Sequence, residues 1–347
     1  MKSSAFDPET VSANLVAFLR RKTGADVTVS GLKRYTVGFS WMTFGFDAAW
    51  RDDKGPRRES LILRLGPPTG LFAPYQAFPQ FAALEALHGS AVPVPRAHWY
   101  EEDPESFGAP FFICDRVEGE APLPWVAEGE EAFPAPVRES LAEQFVGALA
   151  ALHRFDWRGS ALEKLGAPVD ERSAATQQLA FWEGLLQRWS FRPYPMLDWA
   201  LSWLKAHQPV APRIAVVHGD YRTGNFLYDE AGEIHGVLDW EMAHLGDPLE
   251  DLAWGFNPIW QFGRGLAGGL IPQDQAVAVW RRASGLEADP AALHWWILFN
   301  CVKGQGIWVG SARAFIDGGN REPIMIYPAW WLLNAQDRAI LSVMGKL

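Results

Sequence analysis

Cysteine is scarce in this chain: Cys114 and Cys301 are the two present in 347 residues. They form no Cys-x-x-Cys pair and cannot build a disulfide framework, which points to a reducing compartment. Positive charge is also in short supply. Lysine and arginine number 31 against 41 aspartates and glutamates, a formal net charge of -10. That balance argues against a general electrostatic attraction to nucleic acid or to an anionic membrane. No run reaches the roughly 20 apolar residues a membrane helix needs. The opening stretch MKSSAFDPETVSANLVAFLRRKTG lacks the apolar centre and small-residue cleavage site of a secretory signal. These absences predict a cytoplasmic protein. Internal repeats and low-complexity segments are missing too.

What remains is a globular composition, 48% hydrophobic and 21% charged. A chain of 347 residues is too long for one compact core and predicts two lobes. Tryptophan is abundant at 18 residues, and 14 of them lie beyond residue 150. They imply a large aromatic core, with some of them lining an apolar pocket.

The pattern divides the chain. Asp7 as N-cap, Pro8 in the first turn and Gly24 at the exit frame a helix whose apolar stripe is Val11, Leu15, Phe18 and Leu19. Strand-like runs follow in DVTVSGLKRYTV, SWMTFGFDAAW and ESLILRLG, the last two separated by the long polar loop RDDKGPRR. FPQFAALEALHG reads as a helix, and AVPVPRAHWY and APFFICDRVEGE as further extended segments. After Asp115 to Gly119 the character turns helical: Leu141, Phe145, Ala148, Leu149 and Leu152 form one stripe, and helical patterns continue over 172–207 and 274–315. The expected fold class is α+β, a small antiparallel-sheet lobe over 1–116 and a large, mainly helical lobe over 117–347.

One β-rich island interrupts the second half: VVHGDYRTGNFLYDEAGEIHGVLDWEMAHLGDP, residues 216–248. NFLYDEAGEIHGVLDW reads as a hairpin whose ends bring Asn225 and Asp239 together, with Asp220 in the loop that enters it. Three oxygen-bearing side chains then converge on one small volume. Phosphoryl transfer asks for such a set, because Mg²⁺ takes oxygen ligands and a further carboxylate must orient the attacking hydroxyl and receive its proton. The interval from Asp220 to Asn225 is the D-x4-N spacing of the kinase catalytic loop.

The whole segment resembles the catalytic core of the aminoglycoside phosphotransferase (choline/aminoglycoside kinase-like) family. His218-Gly219-Asp220 with Asn225, Asp239-Trp240, and Gly246-Asp247-Pro248 leading to Asp251-Leu252-Ala253 stand in the family's order and intervals. The resemblance implies a protein-kinase-like two-lobed fold, with ATP or GTP and Mg²⁺ bound between the lobes and a small-molecule hydroxyl as phosphate acceptor. Asp220 and Arg222 become the catalytic candidates, and Asn225 and Asp239 the metal ligands. Val37-Gly38-Phe39-Ser40 resembles the nucleotide loop, which makes Gly38, Phe39 and Ser40 phosphate-side candidates. LILRLGPP resembles the strand bearing the phosphate-binding cation, here Arg64, and Asp115, Arg116 and Val117 fall where the interlobe hinge meets adenine. Three departures stand out: Arg64 replaces a lysine, Gln80 stands where a glutamate pairs with that cation, and the nucleotide loop carries a single glycine, Gly38.

Two other readings compete. His218, Asp220, Asp239, His244 and Asp247 offer the mixed nitrogen and oxygen ligands of a metal-dependent hydrolase. Arg64 and Gln80 are compatible with a catalytically weak, pseudokinase-like nucleotide-binding module. The resemblance does not fix the acceptor. Trp295, Trp296, Phe299 and Trp308 make the distal helices strongly apolar, which suits a bulky or apolar alcohol better than a polycationic aminoglycoside. LILRLGPP also resembles kinase-like domains found fused to some acyl-CoA dehydrogenases, and that resemblance implies a hydroxyacyl thioester as another acceptor.

Overall fold

Asp7 starts the fold as its sequence demands. Its carboxylate accepts from the Glu9 and Thr10 N–H groups, Pro8 opens helix α1 (Pro8–Thr23), and Gly24 closes it in the left-handed region. The computed structural model describes residues 6–35, 40–70, 72–121, 135–261, 265–321 and 323–347. Gly38 and Phe39 therefore lie outside the described residues.

Strands β1 (Thr28–Tyr35), β2 (Met42–Asp52), β3 (Gly55–Leu65), β4 (Ala97–Glu101) and β5 (Phe111–Asp115) form one antiparallel sheet in the order β1-β2-β3-β5-β4. Helix α2 (Phe78–Leu87) lies between β3 and β4 in the chain. Alternation along β3 decides the sheet's two faces. Leu61, Leu63 and Leu65 are fully buried beside Phe44, Phe46, Phe111, Ile113 and the apolar stripe of α1. Ile62 and Arg64 consequently point the other way. Phe112 and Cys114 do the same on β5 and join the core of the helical lobe. The same period thus aims Arg64 at the second lobe.

The loop expected over RDDKGPRR is mostly strand. Pairing of β2 with β3 continues to Asp52 opposite Gly55, leaving Asp53 and Lys54 as the turn. These strand ends project into solvent beyond the core, so their charged side chains carry no hydrophobic signal of the ladder. Asp52 fastens the turn by accepting from the Lys54 N–H at 2.8 Å and from Arg57 Nε at 2.7 Å.

The second lobe contains helices α3 (Ala135–Arg154), α4 (Ser173–Trp189) and α5 (Pro195–Ala206) before the island of short strands. In that island β6 (Ala215–Val217) pairs with β9 (His244–Gly246), and β7 (Phe226–Tyr228) with β8 (Ile234–Val237). Helix α6 (Leu249–Trp254), the small pair β10 (Leu266–Ala267) and β11 (Ile271–Pro272), and helices α7 (Gln273–Ser284) and α8 (Pro290–Ile316) follow. Helix α9 (Pro323–Tyr327) leads through a π-helical turn, Pro328–Leu332, into α10 (Leu333–Val343). All five residues of the α3 stripe are buried. No helix among the described residues is long and apolar enough to cross a membrane.

Trp295, Trp296 and Phe299 on α8 are 1%, 0% and 0% exposed and pack on one another. Their polar atoms are satisfied internally: Trp295 Nε1 donates to the Leu204 carbonyl and Trp296 Nε1 to Asp247. These three are core and do not line a pocket, whereas Trp308, more than two helical turns further on, keeps partial exposure.

Candidate active site

The short strands deliver the His-Gly-Asp loop to the end of β6, and α6 holds it there. Asp251 is 1% exposed, and its carboxylate accepts the His218 N–H at 2.7 Å and the Gly219 N–H at 2.8 Å. Burial alone raises its pKa, but His153 and these loop groups outweigh burial and hold it below the usual carboxylate range. His153 receives Trp280 Nε1–H on Nδ1 at 2.9 Å, which leaves Nε2 to donate to Asp251 at 3.3 Å. Gly219 has φ +83, and a Cβ there would come within 2.6 Å of the Met242 carbonyl oxygen, so the loop requires glycine at this point.

His218 is a strut within the loop. Nδ1 accepts the Asp220 N–H at 3.1 Å, and Nε2 donates to the Leu238 carbonyl at 2.9 Å. Burial pushes its pKa down despite Asp251 and Asp220 nearby. Both ring nitrogens are committed, and the side chain does not face a reacting group.

Asp220 is the focus of the loop. Its Oδ1 accepts from Trp254 Nε1 at 2.7 Å and from Arg222 Nε at 3.0 Å, and its Oδ2 accepts from Asn225 Nδ2 at 2.7 Å. The same Asn225 nitrogen reaches the Asp220 carbonyl at 2.9 Å. With its nitrogen committed to Asp220, the Asn225 amide has its oxygen left over, a hard ligand of the kind that could hold a divalent cation. Arg222 lies with its guanidinium carbon 4.8 Å from the Trp260 ring centre. That ring continues a line of indoles, 5.6 Å from Trp254 on one side and 6.3 Å from Trp308 on the other.

The hairpin ends meet as its spacing demands. Leu238 N–H donates to the Asn225 carbonyl at 2.7 Å, which places Asp239 next to Asn225. Asp239 has φ +68, and among the described residues it is the sole non-glycine with positive φ. Such strain is maintained where the side chain must be aimed. Across the cleft, Arg64 Nη2 donates to Asp239 Oδ1 at 2.6 Å. Ser40 makes a second bridge between lobes, its hydroxyl donating to Glu241 Oε1 at 2.7 Å. The other oxygen, Glu241 Oε2, is buried with no partner. Burial, reinforced by the charge of Asp239, pushes the Glu241 pKa up to about 8. This surplus of carboxylate oxygen around Asp239 and Asn225 fits a divalent cation.

Other expected residues lie apart from this cluster. The Asp115 side chain pairs with His98 at 2.6 Å and Arg116 with Asp47 at 3.0 Å, on the strands of the first lobe. Their backbone N–H groups donate to Arg96 and Ser60 carbonyls. Val117 alone of the three turns toward the second lobe, against Gly236. Gln80 is 2% exposed with Nε2 unpartnered; the carboxylate on Arg64 is Asp239. The mixed ligand set of a hydrolase is not gathered: His244 pairs with Glu250 and Asp247 with Leu249 and Trp296. Among the described residues no three His, Cys, Asp or Glu side chains are grouped to hold a metal.

Sequence reasoning missed Trp254 and Lys303. Trp254 stands three residues after Asp251 on α6, so both face the loop, and that spacing was the available signal.

A sheet lobe whose cation meets a carboxylate of the helical lobe, beside an Asp loop braced from behind, defines a protein-kinase-like phosphotransferase. The chain matches the profile of the Phosphotransferase enzyme family (APH) over residues 43–296 and belongs to that family. Acyl-CoA dehydrogenase family member 11 of Mus musculus is 25% identical over 280 residues, a match covering 76% of this chain and 34% of that relative. The chain spans only 18% to 40% of the length of the curated relatives it matches. A solved structure from Ralstonia eutropha, proposed to be an aminoglycoside phosphotransferase, has a TM-score of 0.71 at 19% identity, covering 96% of this chain and 98% of the other. A thermostable mutant of aminoglycoside phosphotransferase APH(4)-Ia, solved with ADP and hygromycin B, gives 0.57 at 19% identity, covering 95% and 98%. These two likenesses establish a shared fold.

Proposed function

We propose that this enzyme moves the γ-phosphate of ATP or GTP to a hydroxyl of a small molecule, in the cleft between lobes 1–116 and 117–347. The observation that carries the reading is the convergence of Arg64, Asp239, Asn225 and Asp220 from two lobes on one volume. Arg64 holds the phosphates through its fork of donors, with the Ser40 hydroxyl on the same side of the cleft, bonded to Glu241. The hinge at Asp115, Arg116 and Val117 meets the base, with Val117 contributing the apolar contact. Asn225 and Asp239 hold Mg²⁺. When bound, that ion offsets the charge of the phosphates during transfer.

Asp220 orients the acceptor hydroxyl and takes its proton as the oxygen bonds to the γ-phosphorus. The bond from that phosphorus to the β–γ bridging oxygen breaks, and the nucleoside diphosphate leaves. Trp254, Arg222 and Asn225 fix the carboxylate so that little reorganisation accompanies the step. Arg222 also lies where it can meet the transferring phosphoryl group.

The acceptor is one with an apolar body. Trp260 and Trp308 flank the approach to Asp220 and Arg222, and the indole N–H of each is buried without a partner. Two such donors beside aromatic faces suit a substrate carrying oxygens on a hydrophobic frame. The curated relatives are named as acyl-CoA dehydrogenase family members, which supports trying the expected hydroxyacyl thioesters beside the apolar alcohols.

A coupled assay of nucleoside diphosphate release across alcohols, hydroxyacyl-CoAs, macrolides and aminoglycosides tests the acceptor. Asp220→Asn tests the mechanism. It should lower turnover by about 10² to 10⁴-fold while Mg·ATP still raises the melting temperature. Wild-type turnover in that variant would remove Asp220 from the base role.

A further inference from the structure

Behind the catalytic loop lies a charge that the steps above do not use. Lys303, on α8, is 1% exposed, a burial that lysine rarely tolerates. Its ammonium donates to the Gly219 carbonyl and, at 2.8 Å, to Glu250 Oε1. It also lies 4.8 Å from the centre of the Trp254 ring and 5.8 Å from that of Trp182. Neutralising Glu250 does not account for all of this, because Glu250 Oε2 already meets His244 Nε2 at 3.1 Å. Burial raises the Glu250 pKa, but Lys303 and His244 outweigh it and hold the group low, as expected of a carboxylate between two cations.

Of the remaining contacts of Lys303, two lead to Asp220, the Gly219 carbonyl and the Trp254 ring. Gly219 is the preceding residue, so its carbonyl sets the peptide plane from which Asp220 hangs. Trp254 turns its face to the ammonium and its edge to the carboxylate, donating Nε1–H to Asp220 Oδ1 at 2.7 Å. A cation over an indole face withdraws electron density from the ring, which makes the N–H a stronger donor. We propose that Lys303 is a positioning residue for phosphoryl transfer, fixing Asp220 through the Gly219 carbonyl and through a cation-backed indole, Trp254. The proposal rests on reading Asp220 as the group that receives the acceptor proton.

The experiment measures Mg·ATP turnover with water as phosphate acceptor, together with the ATP KM and melting temperature. Lys303→Met alone strands a buried glutamate and is expected to melt early. Lys303→Met/Glu250→Gln removes both charges and carries the test. Its kcat should fall about 10 to 100-fold with the ATP KM unchanged. Trp254→Phe keeps an aromatic ring beside the ammonium and removes the N–H; its kcat should fall in the same way, by more than the unfolded fraction left by the smaller buried ring explains. Combining the three substitutions should cost less than the product of the separate losses, because both act on one carboxylate.

Wild-type kcat in the folded double variant would show that Lys303 only balances Glu250, and would overturn the proposal. If the double variant does not fold, Trp254→Phe decides, and an unchanged kcat there overturns it equally. Asp220→Asn belongs in the same series. Turnover retained in Asp220→Asn would defeat the base reading itself. An inactive Asp220→Asn beside fully active Lys303 and Trp254 variants would defeat this proposal alone.

Discussion

Arg64 and Asp239 are 175 residues apart in the chain and 2.6 Å apart in space. The contact joins the sheet lobe to the helical lobe at the point where phosphates and metal are proposed to bind. With side chains 19% and 27% exposed, the pair contributes roughly 0–1 kcal/mol to stability. Arg64→Gln should therefore leave the melting temperature nearly unchanged. The nucleotide KM should rise about tenfold or more, the loss of a charge-assisted phosphate contact of about 1.4 kcal/mol or greater. Steady-state kinetics at saturating Mg²⁺ gives the answer; an unchanged KM would mean that Arg64 serves the lobe contact and not the phosphates.

Gly219 is held on both sides, its N–H by Asp251 and its carbonyl by Lys303. Gly219→Ala adds a Cβ 2.6 Å from the Met242 carbonyl oxygen and keeps a φ of +83 that alanine disfavours by about 1–2 kcal/mol. The clash is with backbone, so the loop must shift. The expected result is a lowered melting temperature together with a kcat loss exceeding what the unfolded fraction explains, read by comparing turnover with the folded population from circular dichroism.

Much of this was legible in the sequence, for reasons that differ by element. The α1 helix carries its own cap, stripe and stop within 18 residues from Asp7 to Gly24, so local rules sufficed. The hairpin ends at Asn225 and Asp239 follow from chain geometry alone. Arg64 meeting Asp239, and Lys303 meeting the loop, are contacts across 175 and 84 residues that no local period encodes. The aromatics show the same limit in another form. Trp296 and Trp308 sit on one apolar helix, and only the packing of its neighbours makes one 0% exposed and leaves the other partly open.

The two thiols should be silent in the folded enzyme. Cys114 is 5% and Cys301 0% exposed, and burial pushes both up to about 12. At pH 8 the thiolate, which is the reactive form, is then on the order of one part in ten thousand. A chromogenic disulfide reagent should label neither cysteine in native protein and both after denaturation. Rapid labelling of Cys114 before unfolding would show that β5 opens at the interlobe face.

Asp247 supplies a test of pH dependence. It is 1% exposed; Oδ1 accepts the Leu249 N–H at 2.9 Å and Oδ2 the Trp296 Nε1–H at 2.7 Å. Burial raises its pKa, these two hydrogen bonds oppose the shift, Glu250 adds to it, and the result is about 7. An unfolded aspartate titrates near 3.9. The folded chain therefore binds the proton more tightly than the unfolded chain does. Its stabilising contribution is fully present below about pH 4 and declines as pH rises toward 7, at most about 1.4 kcal/mol per pH unit. Asp247→Asn removes the titration while keeping a neutral side chain of similar shape. It sacrifices one of the two acceptors, so it should be less stable than wild type at pH 5, by roughly 1–3 kcal/mol. That deficit should shrink between pH 5 and pH 7.5 because wild type loses its contribution and the variant has none to lose. Urea denaturation of both proteins at the two pH values measures the difference directly. A deficit that grows with pH would mean that Asp247 is ionised in the fold and held by its donors against burial.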